Sequence, residues 1–181
     1  MNRYFTKLKS SFIKNESEIL KYQGDCFFTF GVDTEELKGK TLLRYFNIND
    51  IDSFYTNIQN YNFAIPPSHI QIWRIENQGW LDVHRDRGES KTSLNYYIQT
   101  SLDETIFYKP KDNIIREDYY VYEFNELDVQ DSFIAKPTEA YLLNINELHS
   151  VTKQDNIPRI LLQYSWNEDY ETVLESLQDL L

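Results

Sequence analysis

The chain has 181 residues, 41% of them hydrophobic and 15% aromatic, enough for one domain with a substantial core and too few for two of ordinary size. That composition excludes a disordered chain, and a net charge of −11 opposes binding to nucleic acid phosphates or to an anionic membrane. A single cysteine, Cys26, excludes an internal disulfide and a multi-cysteine zinc site, fits a reducing compartment, and makes the cytoplasm the expected location.

The N-terminus carries no apolar run long enough for a secretory leader, and nowhere do about 18 apolar residues run together, so no membrane span is expected. No repeat, low-complexity tract or Pro/Gly/Ser-rich linker interrupts the chain, so residues 1–181 are expected to form a single domain. Residues 1–67 read as a mixed, largely helical cover, with apolar residues at three- and four-residue spacing over 16–22 and 50–61. From residue 68 the texture changes to short runs rich in Ile, Val, Tyr, Phe and Trp, separated by Asn, Asp, Gly and Pro. These runs cover 69–75, 80–84, 93–99, 105–109, 119–124, 132–135, 140–145, 148–152 and 159–166. Short strands at even spacing predict a mainly β fold with flanking helices, with 68–166 as a double-sheet jelly roll able to hold a ligand pocket. Over 168–181, Tyr170, Val173, Leu174, Leu177 and Leu180 share one helical face, which predicts a C-terminal helix packed on the strands.

The three histidines are His69, His84 and His149. His84-Arg85-Asp86 has the form His-x-Asp, and residues two apart near a strand end face the same way, so one imidazole and one carboxylate can reach one cation. Alone, the pair reads better as a surface histidine beside a solvated aspartate. His149 follows the run 140–145 after the turn-like Asn146-Glu147 and is the natural third ligand. Two histidines and a carboxylate on one face of an octahedron suit a non-haem Fe(II) oxygenase. His69 sits in Pro-Pro-Ser-His with no carboxylate at two-residue spacing.

Arg159 stands ten residues after His149 on the last strand. The order His-x-Asp, distant His, then Arg resembles the signature of the Fe(II)/2-oxoglutarate-dependent dioxygenases. The resemblance covers roughly residues 68–166 and implies a double-stranded β-helix of the cupin-like kind. It implies Fe(II) on His84, Asp86 and His149, with Arg159 pairing with the distal carboxylate of 2-oxoglutarate. A fixed guanidinium is the group suited to a carboxylate deep in an apolar barrel. Ser93-Leu94-Asn95-Tyr96-Tyr97 and Glu104-Thr105-Ile106-Phe107 resemble strands of the prolyl-hydroxylase branch, which adds Asn95, Tyr97 and Thr105 to the expected co-substrate pocket, with Tyr96 facing the other way. That branch usually has Lys in place of Arg159, and Gly-Gly where Leu102-Asp103 stands here, which points to the wider superfamily.

The implied activity is hydroxylation of an unactivated C–H bond in an amino acid, protein side chain or small metabolite, using 2-oxoglutarate and dioxygen and releasing succinate and CO2. Asp86 separates the chain from the family's halogenases, which lack the metal-binding carboxylate. Two rivals stand beside this reading: a cupin-like metalloenzyme that uses no 2-oxoglutarate, and a non-enzymatic jelly roll serving as a binding or structural protein. Arg74, Arg85 and Arg87 read either as a substrate-carboxylate cluster or as local ion pairs. Trp73, Trp80, Tyr96, Tyr119, Tyr120 and Tyr122 read either as an aromatic mouth or as core. With five glycines and neither phosphate-binding fingerprint, the chain is no P-loop or dinucleotide enzyme, and it has no Gly-x-Ser-x-Gly elbow.

Overall fold

The structure, a computed structural model, describes residues 3–19, 26–30, 43–47, 57–75, 79–86, 88–116 and 122–181. Its strands are β1 (Phe5–Leu8), β2 (Cys26–Phe30), β3 (Leu43–Asn47), β4 (His69–Ile75), β5 (Gly79–His84), β6 (Thr92–Gln99), β7 (Glu104–Pro110), β8 (Leu127–Ile134), β9 (Ala140–Asn144), β10 (Leu148–Lys153) and β11 (Arg159–Trp166). Two short helices, α1 (Glu16–Ile19) and α2 (Tyr170–Ser176), flank them.

All strand pairing is antiparallel, in a seven-stranded sheet ordered β1-β9-β6-β11-β4-β3-β2 and a four-stranded sheet ordered β5-β10-β7-β8. From β4 to β11 the chain passes back and forth between the sheets, so that β9-β6-β11-β4 lies over β5-β10-β7-β8. This is the double-stranded β-helix expected from the sequence. Side chains from both sheets meet in the interior, where Arg159 on β11 reaches Thr105 on β7 and the Tyr97 ring on β6 meets Phe133 on β8 edge-on.

Two-residue alternation along each strand separates three apolar layers. On the outer face of the larger sheet Leu94, Tyr96, Leu162, Tyr164 and Trp166 pack against Phe12, Ile19, Ile58 and the apolar stripe of α2. Between the sheets lie Tyr97, Phe107, Phe133, Tyr141, Leu143 and Leu161. Val83, Tyr108, Tyr122, Leu127 and Leu148 cover the far face of the smaller sheet. Each such side chain contributes roughly 1.5–3 kcal/mol by leaving water.

The C-terminal expectation holds in its packing: Tyr170, Val173, Leu174, Leu177 and Leu180 are all buried. The helix itself is shorter than 168–181, ending at Ser176 and followed by a 3-10 turn over Gln178–Leu180.

Three expectations need correction. Residues 1–67 are not a largely helical cover where they are described, because β1, β2 and β3 extend the larger sheet at both edges. Of the expected helix over 16–22 only Glu16–Ile19 is described as helical, and of 50–61 only Asn57 and Ile58 are, residues 20–22 and 50–56 lying outside the described part. The run 119–124 is not a strand where it is described: Tyr122 and Glu123 are irregular, and Phe124–Glu126 is a 3-10 turn closed by a reciprocal Glu123–Glu126 capping box. The next strand starts at Leu127 and not at Ser132, because Leu127–Asp131 pairs along β7 from Pro110 to Phe107.

At the end of β10 a buried ion pair ties down the loop leading to β11. The fully buried Lys153 ammonium lies 3.4 Å from Asp103 Oδ1 and 3.2 Å from Asp155 Oδ1, and donates to the Ile157 carbonyl. Thr100 Oγ1 donates to the other Asp103 oxygen at 3.0 Å. Removing one partner strands the buried charge of the other, so Lys153→Met is expected to lower stability by about 3 kcal/mol. Urea denaturation measures this, and a variant as stable as the wild type would show that the pair holds nothing.

Candidate metal and anion site

The site is built where β5 and β10 pair. His149 lies opposite His84 in their register and opposite Phe107 of the interior layer on β7, so its side chain points between the sheets, as do those of Val151 and, on β7, Thr105. The strand ends at His84, and Asp86 follows with its N–H bonded to the Ile145 carbonyl at 3.1 Å. The chain then turns at Gly88, whose φ of +102° is strained for any residue with a side chain, although no atom crowds the position.

The three side chains converge. Asp86 Oδ1 lies 3.3 Å from His84 Nε2 and 3.5 Å from His149 Nε2, and the imidazole centroids are 4.5 Å apart. One donor atom from each falls within 4.8 Å of the others, a set that can hold a metal ion. The His149 ring is fixed from behind: Nδ1 lies 3.0 Å from the Glu147 carbonyl, which can only accept, so Nδ1 carries the proton and Nε2 presents its lone pair. Phe107 packs beside the ring at 5.8 Å.

Electrostatics favour the ligating forms. Burial, and then repulsion from a charged His84, push the His149 pKa down from 6.5 to about 4, against the pull of Asp86 and the Glu147 carbonyl. Burial raises the Asp86 pKa, but the His84 hydrogen bond and the charges of both imidazoles outweigh it and leave the carboxyl below its ordinary range. At neutral pH the cluster therefore holds a neutral imidazole at His149 and a carboxylate at Asp86.

The same cavity contains Arg159. The cavity opens to solvent and has Trp73, Ile75, Val151, Leu161 and Ile145 among its apolar walls. Arg159 is 2% exposed. Its Nη2 donates to Tyr97 Oη at 3.0 Å and Thr105 Oγ1 at 2.9 Å, and the guanidinium lies 5.0 Å from the Tyr97 ring centre. Nε and Nη1 are buried with no hydrogen-bond partner, and among the described residues no carboxylate pairs with Arg159. A buried, permanently charged group with two unmade donors fits a carboxylate ligand.

The residues singled out in the sequence thus fall into two groups. His84, Asp86 and His149 come together, and Arg159, Tyr97 and Thr105 come together. Asn95 lines the same cavity but makes no hydrogen bond to Arg159. Tyr96 faces the opposite side, into the outer layer. His69 is exposed and bonded to Ser68, away from the site. Of the described members of the six aromatics only Trp73 lines the cavity; Tyr122 is in the far layer, and Trp80, Tyr119 and Tyr120 are outside the described side chains, as is Arg87. Arg74 alternates away from Trp73 and Ile75, and Arg85 donates to the Arg116 carbonyl at 3.4 Å. The sequence reading missed Ser93 and Gln163, both at the cavity. Two-residue steps from Tyr97 through Asn95 to Ser93, and from Arg159 through Leu161 to Gln163, would have found them.

No family model matches the chain, and no curated protein is similar to it in sequence. Among solved structures it is similar to an oxidoreductase of the 2OG-Fe(II) oxygenase family from Burkholderia pseudomallei, with 13% identity, 84% of this chain and 79% of the other covered, and a TM-score of 0.49. It is also similar to Bacillus subtilis oxalate decarboxylase, with 11% identity, 83% and 29% covered, and a TM-score of 0.41. A third is the polyketide cyclase RemF from Streptomyces resistomycificus, with 12% identity, 87% and 94% covered, and a TM-score of 0.38. The chain spans under a third of the length of the decarboxylase. No helix among the described residues is long and apolar enough to cross a membrane.

In the unfolded chain His149 takes up a proton near 6.5, in the folded one near 4, so the unfolded state binds more protons between these values. Stability of the metal-free protein should then be full above about pH 6.5 and fall by up to about 3 kcal/mol towards pH 4. Urea midpoints between pH 7 and 4.5, above the range where Asp86 titrates, should show the slope in wild type and much less of it in His149→Phe. Arg159→Met removes an unpaired buried charge and is expected to melt no lower than the wild type without ligand; a clear drop would show that the cation is already compensated.

Proposed function

We propose that the protein is an Fe(II)- and 2-oxoglutarate-dependent dioxygenase that hydroxylates a C–H bond, and that residues 1–181 act as one domain. The observation that carries this reading is the pairing, in one cavity, of a His-Asp-His donor set with a buried arginine whose Nε and Nη1 meet nothing. The donor set alone suits several divalent metals. A carboxylate-seeking cation deeper in the same cavity favours a co-substrate that reaches from the metal to Arg159, over a metalloenzyme that uses no 2-oxoglutarate.

In this reading His84, Asp86 and His149 would hold the metal. When bound, iron and 2-oxoglutarate supply the oxidising chemistry, in which dioxygen places one atom in a substrate C–H bond and the other in succinate as CO2 is lost. The chain's residues do the rest. Arg159 neutralises the distal carboxylate, and Tyr97 and Thr105 hold the guanidinium in place through its Nη2. The Glu147 carbonyl keeps the His149 proton on Nδ1. Leu161, Val151 and Ile75 keep bulk water from the co-substrate's length.

The test is an anaerobic titration of the metal-free protein with Fe(II) and 2-oxoglutarate, watching for the weak visible charge-transfer absorption of an iron-chelated keto acid. The absorption is expected in wild type, lost in His84→Ala, and in Arg159→Met should require at least about tenfold more 2-oxoglutarate. Iron binding without any such absorption would favour a metalloenzyme without 2-oxoglutarate. Failure to bind iron would sink the oxygenase reading.

A further inference from the structure

One group of polar atoms at the cavity is used neither by the metal cluster nor by Arg159. Along β11 the inward positions are Arg159, Leu161 and Gln163, and along β6 they are Tyr97, Asn95 and Ser93, with Leu161 opposite Tyr97 and Gln163 opposite Asn95. The barrel is therefore layered. Arg159, Tyr97 and Thr105 are at the closed end, each no more than 2% exposed. His84 and Asp86 face the open end, their side chains 34% and 31% exposed. Asn95, Ser93 and the partly buried Gln163 lie on this open side, on the sheet opposite His149.

The chemistry of this layer is specific. Asn95 is 6% exposed and Ser93 fully buried, yet Asn95 Oδ1 and Ser93 Oγ have no hydrogen-bond partner. Gln163 Oε1 accepts from Trp73 Nε1 at 2.7 Å. An indole nitrogen can only donate, so the Gln163 oxygen is turned to Trp73 and its NH2 is the group left for a ligand. Directly opposed residues on one face of an antiparallel pair have Cβ atoms about 5 Å apart. An unmet acceptor at Asn95 and an available donor at Gln163 thus stand side by side. Among the described lining residues Asp86 belongs to the donor set and Arg159 to the closed end, so the layer itself carries no charged side chain.

We infer that Asn95 and Gln163, with Ser93 beside them, form the substrate-recognition layer of the cavity, and that the substrate presents an amide there. This rests on the oxygenase reading for its catalytic meaning and moves Asn95 from the co-substrate to the substrate. An amide offers an N–H to Asn95 Oδ1 and a carbonyl to the Gln163 NH2 at the spacing of one cross-strand pair. A carboxylate in the same place would bring a second acceptor against Asn95 Oδ1 and has no N–H to offer it. A side-chain carboxamide and a peptide-backbone amide share this chemistry.

The test uses saturation-transfer NMR on the metal-free Arg159→Met protein, in which no buried cation competes for the acids, with four probes: L-glutamine, L-glutamate, N-methylacetamide and acetate. One or both amides should bind at least about tenfold more tightly than the matching acid, and which amide does so separates a side-chain source from a backbone one. Asn95→Leu and Gln163→Met should each lose most of that preference. Thermal melts identify any variant that has not folded, and the other variant then decides. Equal binding of amides and acids, no binding of either amide, or a preference unchanged in folded variants would overturn the proposal. The wild-type Fe(II)/2-oxoglutarate absorption, recorded in parallel, separates the two readings: its absence sinks the oxygenase, and the amide preference stands or falls on the NMR alone.

Discussion

The register of β10 against β5 is the constraint on which the site depends. It sets His149 directly opposite His84, and a slip of one residue would turn His149 outward and bring Leu148 or Ser150 into the barrel. The register is held from both sides. On β7, Tyr108 Oη and Ser150 Oγ bond at 3.0 Å on the outer face while Phe107 packs on the His149 ring within. At the far end of β10 the buried Lys153 anchors the strand to the turn before β7 and to the loop before β11. One strand thus aligns the His84–Asp86–His149 cluster with the loop that delivers Arg159.

Much of the fold was legible because the central strands alternate cleanly and are separated by turn residues. The runs 69–75 and 159–166 coincide with β4 and β11. The edges were not. In Phe5–Leu8 a lysine interrupts a four-residue strand, and Leu127–Asp131 mixes two aspartates and a glutamine into an edge strand exposed over most of that stretch. Edge strands owe their conformation to a partner far away in sequence, which local pattern does not report. The tyrosine-rich run 119–124 misled for the opposite reason, since aromatic content suggests a strand while the Glu123–Glu126 capping box closes a 3-10 turn.

At the candidate site, the candidate residues were legible in the sequence and their geometry was not. His-x-Asp, His149 and Arg159 could be singled out from spacing, and Tyr97 and Thr105 from likeness to family strands. Which polar atoms lack partners depends on distances between strands tens of residues apart. The separation of Asn95 from Tyr97, two residues along one strand yet in different layers of the cavity, therefore emerged only with the fold.

The barrel divides its interior between stability and chemistry. On the side of β9 and β8, Phe5, Phe133 and Tyr141 fill the space, with Phe133 and Tyr141 stacked at 4.1 Å. On the side of β4 and β5 the space stays open, and it holds the unmet donors of Arg159 together with the unpartnered atoms of Ser93 and Asn95. Each unmet buried polar group costs on the order of 1–3 kcal/mol and a charged one more. Such a concentration persists only where the surrounding packing over-determines the backbone. The aromatic half and the covered outer face of the larger sheet supply that packing. Ligand carboxylate at one end and a polar substrate at the other would satisfy the groups left open, so binding should stiffen the half of the barrel that folding alone leaves unsatisfied.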